Sequence, residues 1–372
     1  MRTELCDRFG IAYPIFVFTP SEKVAAAVTR AGGMGVLGCV RFNEAEELDA
    51  VLNWMDDNTD GKPYGVDVVM PAKIPPEGTS VDINSYIPQA HRDFVDKTLT
   101  ELGVPPLATE GQGNEGVLGW LHSIARSHVD VALGHRISLI ANALGSPPAD
   151  VLAQAHAAGV PVAALAGTAT HARRHADNGV DIVVAQGYEA GGHTGEIASM
   201  VLVPEVVDAV GDTPVLAAGG IGTGRQVAAA LALGASGVWM GSAFLTAAEY
   251  DLGVRAADGP SVIQQALLAA TSSDTVRRRI YSGKPARLLK SRWTDAWDAA
   301  DAPDPLPMPL QNVLVAEAHQ RMSQSQDPTA VAMPVGQIVG RMNAIRPAAE
   351  IIAELVSGFD AATRRLDGIR GD

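Results

Sequence analysis

The chain has 372 residues, 47% hydrophobic and 19% charged, which allows a large core and rules out a disordered chain. With 28 Lys plus Arg against 42 Asp plus Glu, the formal charge is −14, which repels nucleic-acid backbones and anionic membranes. Cys6 and Cys39 make no disulfide framework, no apolar leader opens the chain, and no run reaches the ~18 apolar residues of a membrane helix, so the expectation is a cytoplasmic protein without nucleic-acid or membrane partners.

Short β-branched runs alternate with Ala-rich helical stretches. Strands are expected at 13–19, 34–40, 64–70, 137–143, 160–166, 181–186, 213–218 and 237–244. Helices are expected at 22–30, 44–55, 149–158, 170–178, 200–210 and 225–233. Several strands are apolar throughout, as strands covered on both faces are. Gly32, Gly159, Gly179 and Gly234 each follow a helix and fit glycine C′ caps. Eightfold alternation predicts an α/β chain whose parallel sheet closes into a TIM (β/α)8 barrel.

Two stretches break the rhythm. Residues 72–134 open Pro-rich and carry helical patterns at 88–102 and 117–127, which suggests a helical insertion after strand three. A Pro-rich run at 302–310 precedes further helical patterns. The expected organisation is a barrel from 1–71 and 135–300, an insertion at 72–134, and a C-terminal lid at 301–372.

Four glycine loops bear on function. Gly33-Met34-Gly35-Val36-Leu37-Gly38 satisfies GxGxxG, but a helix precedes it and a strand follows. Dinucleotide binding needs the reverse order, so this is a helix-to-strand turn. Gly219-Gly220-Ile221-Gly222-Thr223-Gly224 follows an apolar strand and opens a helix, where bare N–H groups can hold a phosphate. Gly241-Ser242 ends the next strand; by count these are strands seven and eight, between whose loops barrels often seat a phosphate. The fourth loop, Gln186 to Glu196, embeds His193 in glycines on the active-site edge, which points to a catalytic or substrate-contacting imidazole. A metal at Glu189, His193 and Glu196 is disfavoured, because Gly191, Gly192 and Gly195 give no fixed scaffold. His171 and His175, at i and i+4, read as a solvated helix face.

The stretches DIVVAQGYEAGGHTG (181–195), PVLAAGGI (214–221), LGASGVWMGSAF (233–244) and GQIVG (336–340) resemble the nitronate monooxygenase family, and the flavin-dependent enoyl-acyl-carrier-protein reductases share them. The resemblance is dense over 181–246, looser over 11–71 and 283–345, and weak over 72–135. It implies a barrel that holds FMN. Gly219, Gly220, Gly241 and Ser242 would cradle the phosphate. Gln186, Gly191 and Gly192 would lie along the flavin and ribityl chain. His193 would stand over the ring system, and Gln337 would approach from the lid. Where the family usually has Pro-Met, this chain reads Phe18-Thr19-Pro20-Ser21, which puts Thr19 at a flavin-contacting position. Where the family usually has Asn in its third strand, this chain has Asp67, a carboxylate that would face an acceptor unless protonated or turned away.

The implied activity is oxidation of alkyl nitronates by O2. His193, expected to titrate near physiological pH, would serve as base for neutral nitroalkanes. Arg41 and Lys73 are candidate cations for an anionic substrate. Alternatives are an NAD(P)H-dependent reductase of an enoyl thioester and a non-catalytic FMN-binding barrel. A barrel with Cys39 as nucleophile is disfavoured, because Cys39 sits inside a strand pattern. The expected partners are a small-molecule substrate, O2 and a second copy in a homodimer.

Overall fold

The computed structural model describes residues 1–70, 83–107, 122–254 and 259–370. The barrel strands are β1 (Ile15–Thr19), β2 (Met34–Gly38), β3 (Tyr64–Asp67), β4 (Ile137–Asn142), β5 (Val162–Ala166), β6 (Ile182–Gln186), β8 (Val215–Ala218) and β9 (Gly237–Met240). A two-residue strand, β7 (Gly192–His193), lies outside the barrel. The strands are all parallel, in chain order, and β9 pairs back onto β1 to close the (β/α)8 barrel. The last strand stops short of the expected 244 because Ser242–Phe244 turns as a 3-10 helix.

Alternation along the strands sorts side chains into two cores. In β1, Phe16 points into the barrel with Met34, Leu139 and Ile182, while Ile15 and Val17 face the helices. A short helix, α1 (Glu4–Phe9), plugs the interior with Leu5, Cys6 and Phe9; the Phe9 ring meets Phe16 edge-on at 5.7 Å. The outer layer holds α2 (Glu22–Arg30), α3 (Ala45–Asn58), α6 (Ala149–Ala157), α7 (Ala169–Asp177), α8 (Ser199–Val210) and α9 (Gly224–Ala232). The caps expected after four of these helices do adopt positive φ: 97° at Gly32, 73° at Gly159, 87° at Gly179 and 98° at Gly234. The early GxGxxG serves packing. A Cβ on Gly35 would stand 2.1 Å from the Ala25 carbonyl, so only glycine lets β2 approach α2 this closely.

The two rhythm-breaking stretches each deliver a barrel helix. From the first, α4 (Gln89–Glu101) packs Val95 and Leu99 against the C-terminal region, whereas α5 (His122–Leu133) sets Ala125 and Val129 against Leu48 and Leu52 of α3. After β9 the chain runs through α10 (Val262–Ala269), the strands β10 (Thr275–Arg278) and β11 (Ala286–Leu289), α11 (Arg292–Trp297) and α12 (Leu310–Gln324). The antiparallel sheet β10-β11-β7 was not anticipated. The last helix, α13 (Ala348–Arg370), is no lid. Its Ile351, Ile352 and Leu355 share a core with Val28 of α2 and Val227 of α9, so it takes the eighth barrel-helix position. There a Cβ on Gly224 would stand 2.2 Å from the Phe359 amide nitrogen, a close helix crossing that requires glycine. No described helix is long and apolar enough to cross a membrane.

Candidate active site

A cavity of about 430 Å³ opens over the C-terminal ends of the barrel strands, within the usual range for small-molecule sites. Barrel residues from Phe18 to Met240 form its floor, and residues 281, 319, 322 and 331–334 form its roof.

One end is built from backbone. Gly219 and Gly220 turn with φ 99° and 70°, a conformation that favours glycine, and both line the cavity. Among the described residues, the N–H groups of Gly219, Gly220, Gly241 and Ser242 donate to nothing. The Gly222 N–H, by contrast, donates to Gln226 Oε1 at 3.0 Å. The turn is held from behind by Ser199, whose hydroxyl lies 3.0 Å from both Glu189 Oε2 and the Gly219 carbonyl. Ser242 Oγ accepts from Gly336 N–H at 2.8 Å, which ties the roof segment to the β9 loop. Unpartnered donors on two adjacent strand ends suit an oxyanion such as a phosphate.

Midway, Gln186, Gly191 and Gly192 line the cavity. A Cβ on Gly191 would sit 2.7 Å from the Val335 carbonyl carbon, so two backbones cross there. Gln337 N–H donates to the Glu189 carbonyl at 2.9 Å, but the residues that reach the cavity wall are its neighbours Gly336 and Ile338. Thr19 is likewise displaced: its Oγ1 accepts from Ser21 N–H at 3.2 Å, while Phe18 and Pro20 line the cavity.

Across the cavity from the bare amides, Asp67 ends β3. It is 2% exposed, and its carboxyl makes no hydrogen bond or ion pair with the described residues. Burial raises its carboxyl to about 8, so it is protonated at neutral pH and can donate. A protonated carboxyl is a donor, so it would not clash with an acceptor in the way the sequence suggested. Burial, and then the Asp67 charge, push the adjacent Cys39 thiol up, which leaves it unreactive.

His193 pairs through β7 with Ala286 of β11 and lines the cavity. Its Nε2 lies 2.5 Å from Ser282 Oγ. Burial, and then the Lys284 charge, lower it to about 4. It is therefore neutral well below the near-physiological value expected from sequence. Glu189 is occupied by Ser199, and Glu196 by Arg277 at 3.4 Å.

Other sequence expectations are redirected. Arg41 pairs with Glu22 at 2.6 Å, lies over the Phe42 ring, and does not line the cavity. Lys73 lies outside the described residues. His175 is buried rather than solvated, bonded to Ser146 Oγ at 2.7 Å and the Leu165 carbonyl at 3.1 Å. Sequence reasoning missed Tyr281, Ser282 and His319, and also Arg287. The Arg287 guanidinium donates to the Tyr188 carbonyl at 2.9 Å and stands 4.4 Å from the Tyr188 ring centroid, bracing the glycine loop that carries His193. No period-two alternation marks β10 (TVRR) or β11 (ARLL), so no local pattern pointed to them.

A family model for nitronate monooxygenase matches residues 3–358. The chain is 49% identical to a Mycobacterium tuberculosis protein named "Putative monooxygenase Rv1533", over 99% of each chain. Among solved structures it is similar to a nitroalkane oxidase from Streptomyces ansochromogenes (26% identity, 97% of this chain and 99% of that one, TM-score 0.77). It is also similar to FabK from Thermotoga maritima (26% identity, 99% of each chain, TM-score 0.73).

Proposed function

Because the chain belongs to the nitronate monooxygenase family, we propose that it is an FMN-dependent monooxygenase that oxidises alkyl nitronates with O2. Membership makes it an oxidoreductase. The observation that supports the cofactor is the row of unpartnered amides at Gly219, Gly220, Gly241 and Ser242, set in one cavity with a buried acid at the far end. Those amides would hold the phosphate. Gln186, Gly191 and Gly192 would run beside the middle of the cofactor, and protonated Asp67 would donate to an acceptor on its ring edge. Thr19 and Gln337 would act only through their neighbours.

Taking electrons from a resonance-stabilised carbanion and passing them to O2 is chemistry that bound flavin supplies. The chain's own residues position the substrate and exclude water. His193 is neutral across the physiological range, so its unprotonated ring nitrogen can accept the α-proton of a neutral nitroalkane. Ser282 fixes the orientation of that ring.

The test is the visible spectrum of the purified protein, followed by anaerobic mixing. Bound flavin bleached by ethyl nitronate and left unchanged by NADPH is the expected result. The apolar roof favours one second reading, an NAD(P)H-dependent reductase of an enoyl thioester. Prompt bleaching by NADPH selects it. Flavin absorbance that neither ethyl nitronate nor NADPH changes selects a non-catalytic FMN-binding barrel, and a colourless protein that takes up no FMN ends all three.

A further inference from the structure

The roof carries a second imidazole that the reading above leaves unused. His319, on α12, lines the cavity. Its ring stacks on Tyr281 with centroids 4.9 Å apart and 17° between planes. Trp293 meets it edge-on at 6.1 Å, so two aromatic neighbours hold the plane of the ring. Its Nε2 is enclosed and has no hydrogen-bond partner, and the ring makes no other hydrogen bond or ion pair with the described residues. Burial lowers His319 to about 4, which leaves a neutral ring with a single N–H.

Where that proton sits follows from the surroundings. An enclosed N–H with no acceptor is costlier than an enclosed bare ring nitrogen. The proton therefore belongs on Nδ1, and the donor is offered from the other edge of the ring. The nearby wall is apolar, with Met322, Val331 and Met333, and no Lys or Arg among the described residues lines the cavity. Buried polar groups are normally partnered, so an unpartnered donor in an apolar pocket points to a ligand acceptor.

Resting on the nitronate reading, we propose that His319 binds substrate: its Nδ1–H donates to an oxygen of the substrate head group, with the alkyl chain against Met322, Val331 and Met333. Tyr281 stands between the two imidazoles, its ring 6.4 Å from that of His193. The substrate class is a small aliphatic compound with a planar two-oxygen head, held by neutral donors rather than by a cation.

The probe is butyrate, which has that head and an alkyl chain but offers the flavin no carbanion to oxidise. FMN-loaded wild type is titrated with butyrate and the flavin absorbance followed, alongside His319→Phe and His319→Gln. Phe keeps the aromatic stack and removes the donor; Gln keeps a donor. The expected result is about tenfold weaker butyrate binding in the Phe variant at unchanged FMN content, as loss of a hydrogen bond to a charged group implies. The Gln variant should stay within about threefold of wild type by the same reasoning. If the Phe variant does not load FMN, His319→Leu carries the comparison with Gln. Equal affinities in the donor and donor-free variants overturn the inference, as does a wild type that does not respond to butyrate. A wild type that binds butyrate in this His319-dependent way yet leaves ethyl nitronate unoxidised breaks the nitronate reading instead.

Discussion

The two ends of the cavity are made of different materials. The β8–β9 end is backbone: four amides, two positive-φ glycines, and a serine that braces the turn from behind. The roof end is side chain: His193, Tyr281, Ser282 and His319, drawn from segments far apart in the chain and locked by aromatic contacts. Backbone donors do not titrate and survive every substitution except proline, which suits a group that must stay bound. Side chains titrate and can be exchanged, which suits discrimination among substrates. The contrast teaches that cofactor retention and turnover should fail separately.

The largest expected effect is at the roof. His193→Asn should lower turnover of neutral nitroalkanes by about 10²–10⁴-fold, the usual worth of a positioned base. It should leave FMN content and the oxidation of preformed nitronate nearly unchanged; joint loss of flavin would erase the distinction between the ends. The pH profile sharpens the point. The base form of His193 is lost only as pH falls through about 4, so the acid limb should lie there, and a limb near 6.5 would mean the ring is not buried in the working enzyme.

The next effect is at the backbone end. Gly219→Ala forces a side chain into φ 99°, with its Cβ 3.0 Å from Ser199 Oγ. Strain of about 1–3 kcal/mol should weaken FMN binding roughly 10- to 100-fold while enzyme saturated with flavin keeps its turnover. Equilibrium dialysis against FMN measures it.

Asp67 sits between these extremes because its donor exists only when protonated. Its folded value of about 8 lies above its ordinary 3.8, so the native state holds a proton that the unfolded chain releases between those values. The thermal stability of flavin-free protein should therefore fall as pH rises from about 4 to 8, and Asp67→Asn should flatten that slope. FMN affinity should weaken above pH 8 by up to about tenfold per unit, and not in the Asn variant. The smallest effect is at Ser282. Removing its hydroxyl costs about one hydrogen bond, roughly fivefold in kcat for neutral nitroalkanes, with FMN affinity untouched.

The same difference of material decided what could be read from residues alone. A glycine turn after an apolar strand announces itself locally, because the conformational demand belongs to the residue. Gly219, Gly220, Gly241 and the eight barrel strands were legible for that reason. The roof was not, because Tyr281 or His319 acquires its role only by tertiary packing against the other. The place of His193 on the cavity wall was legible through its glycine neighbours, yet its titration depends on burial that no local pattern reveals. The helix patterns near the C-terminus were visible, but nothing in their periodicity said that α13 belongs to the barrel while α12 roofs it.

That placement of α13 has a consequence for how the protein is made. The ring of helices around the barrel is completed only by residues 348–370, which follow the roof residues 281–334 in the chain. During synthesis, which proceeds from the N-terminus, the exposed flanks of α2 and α9 wait for their neighbour, a gap into which another nascent chain could stick. A ribosome stalled before residue 348 would present all eight strands and still lack a sealed wall, so truncations there should aggregate rather than yield a smaller, working enzyme.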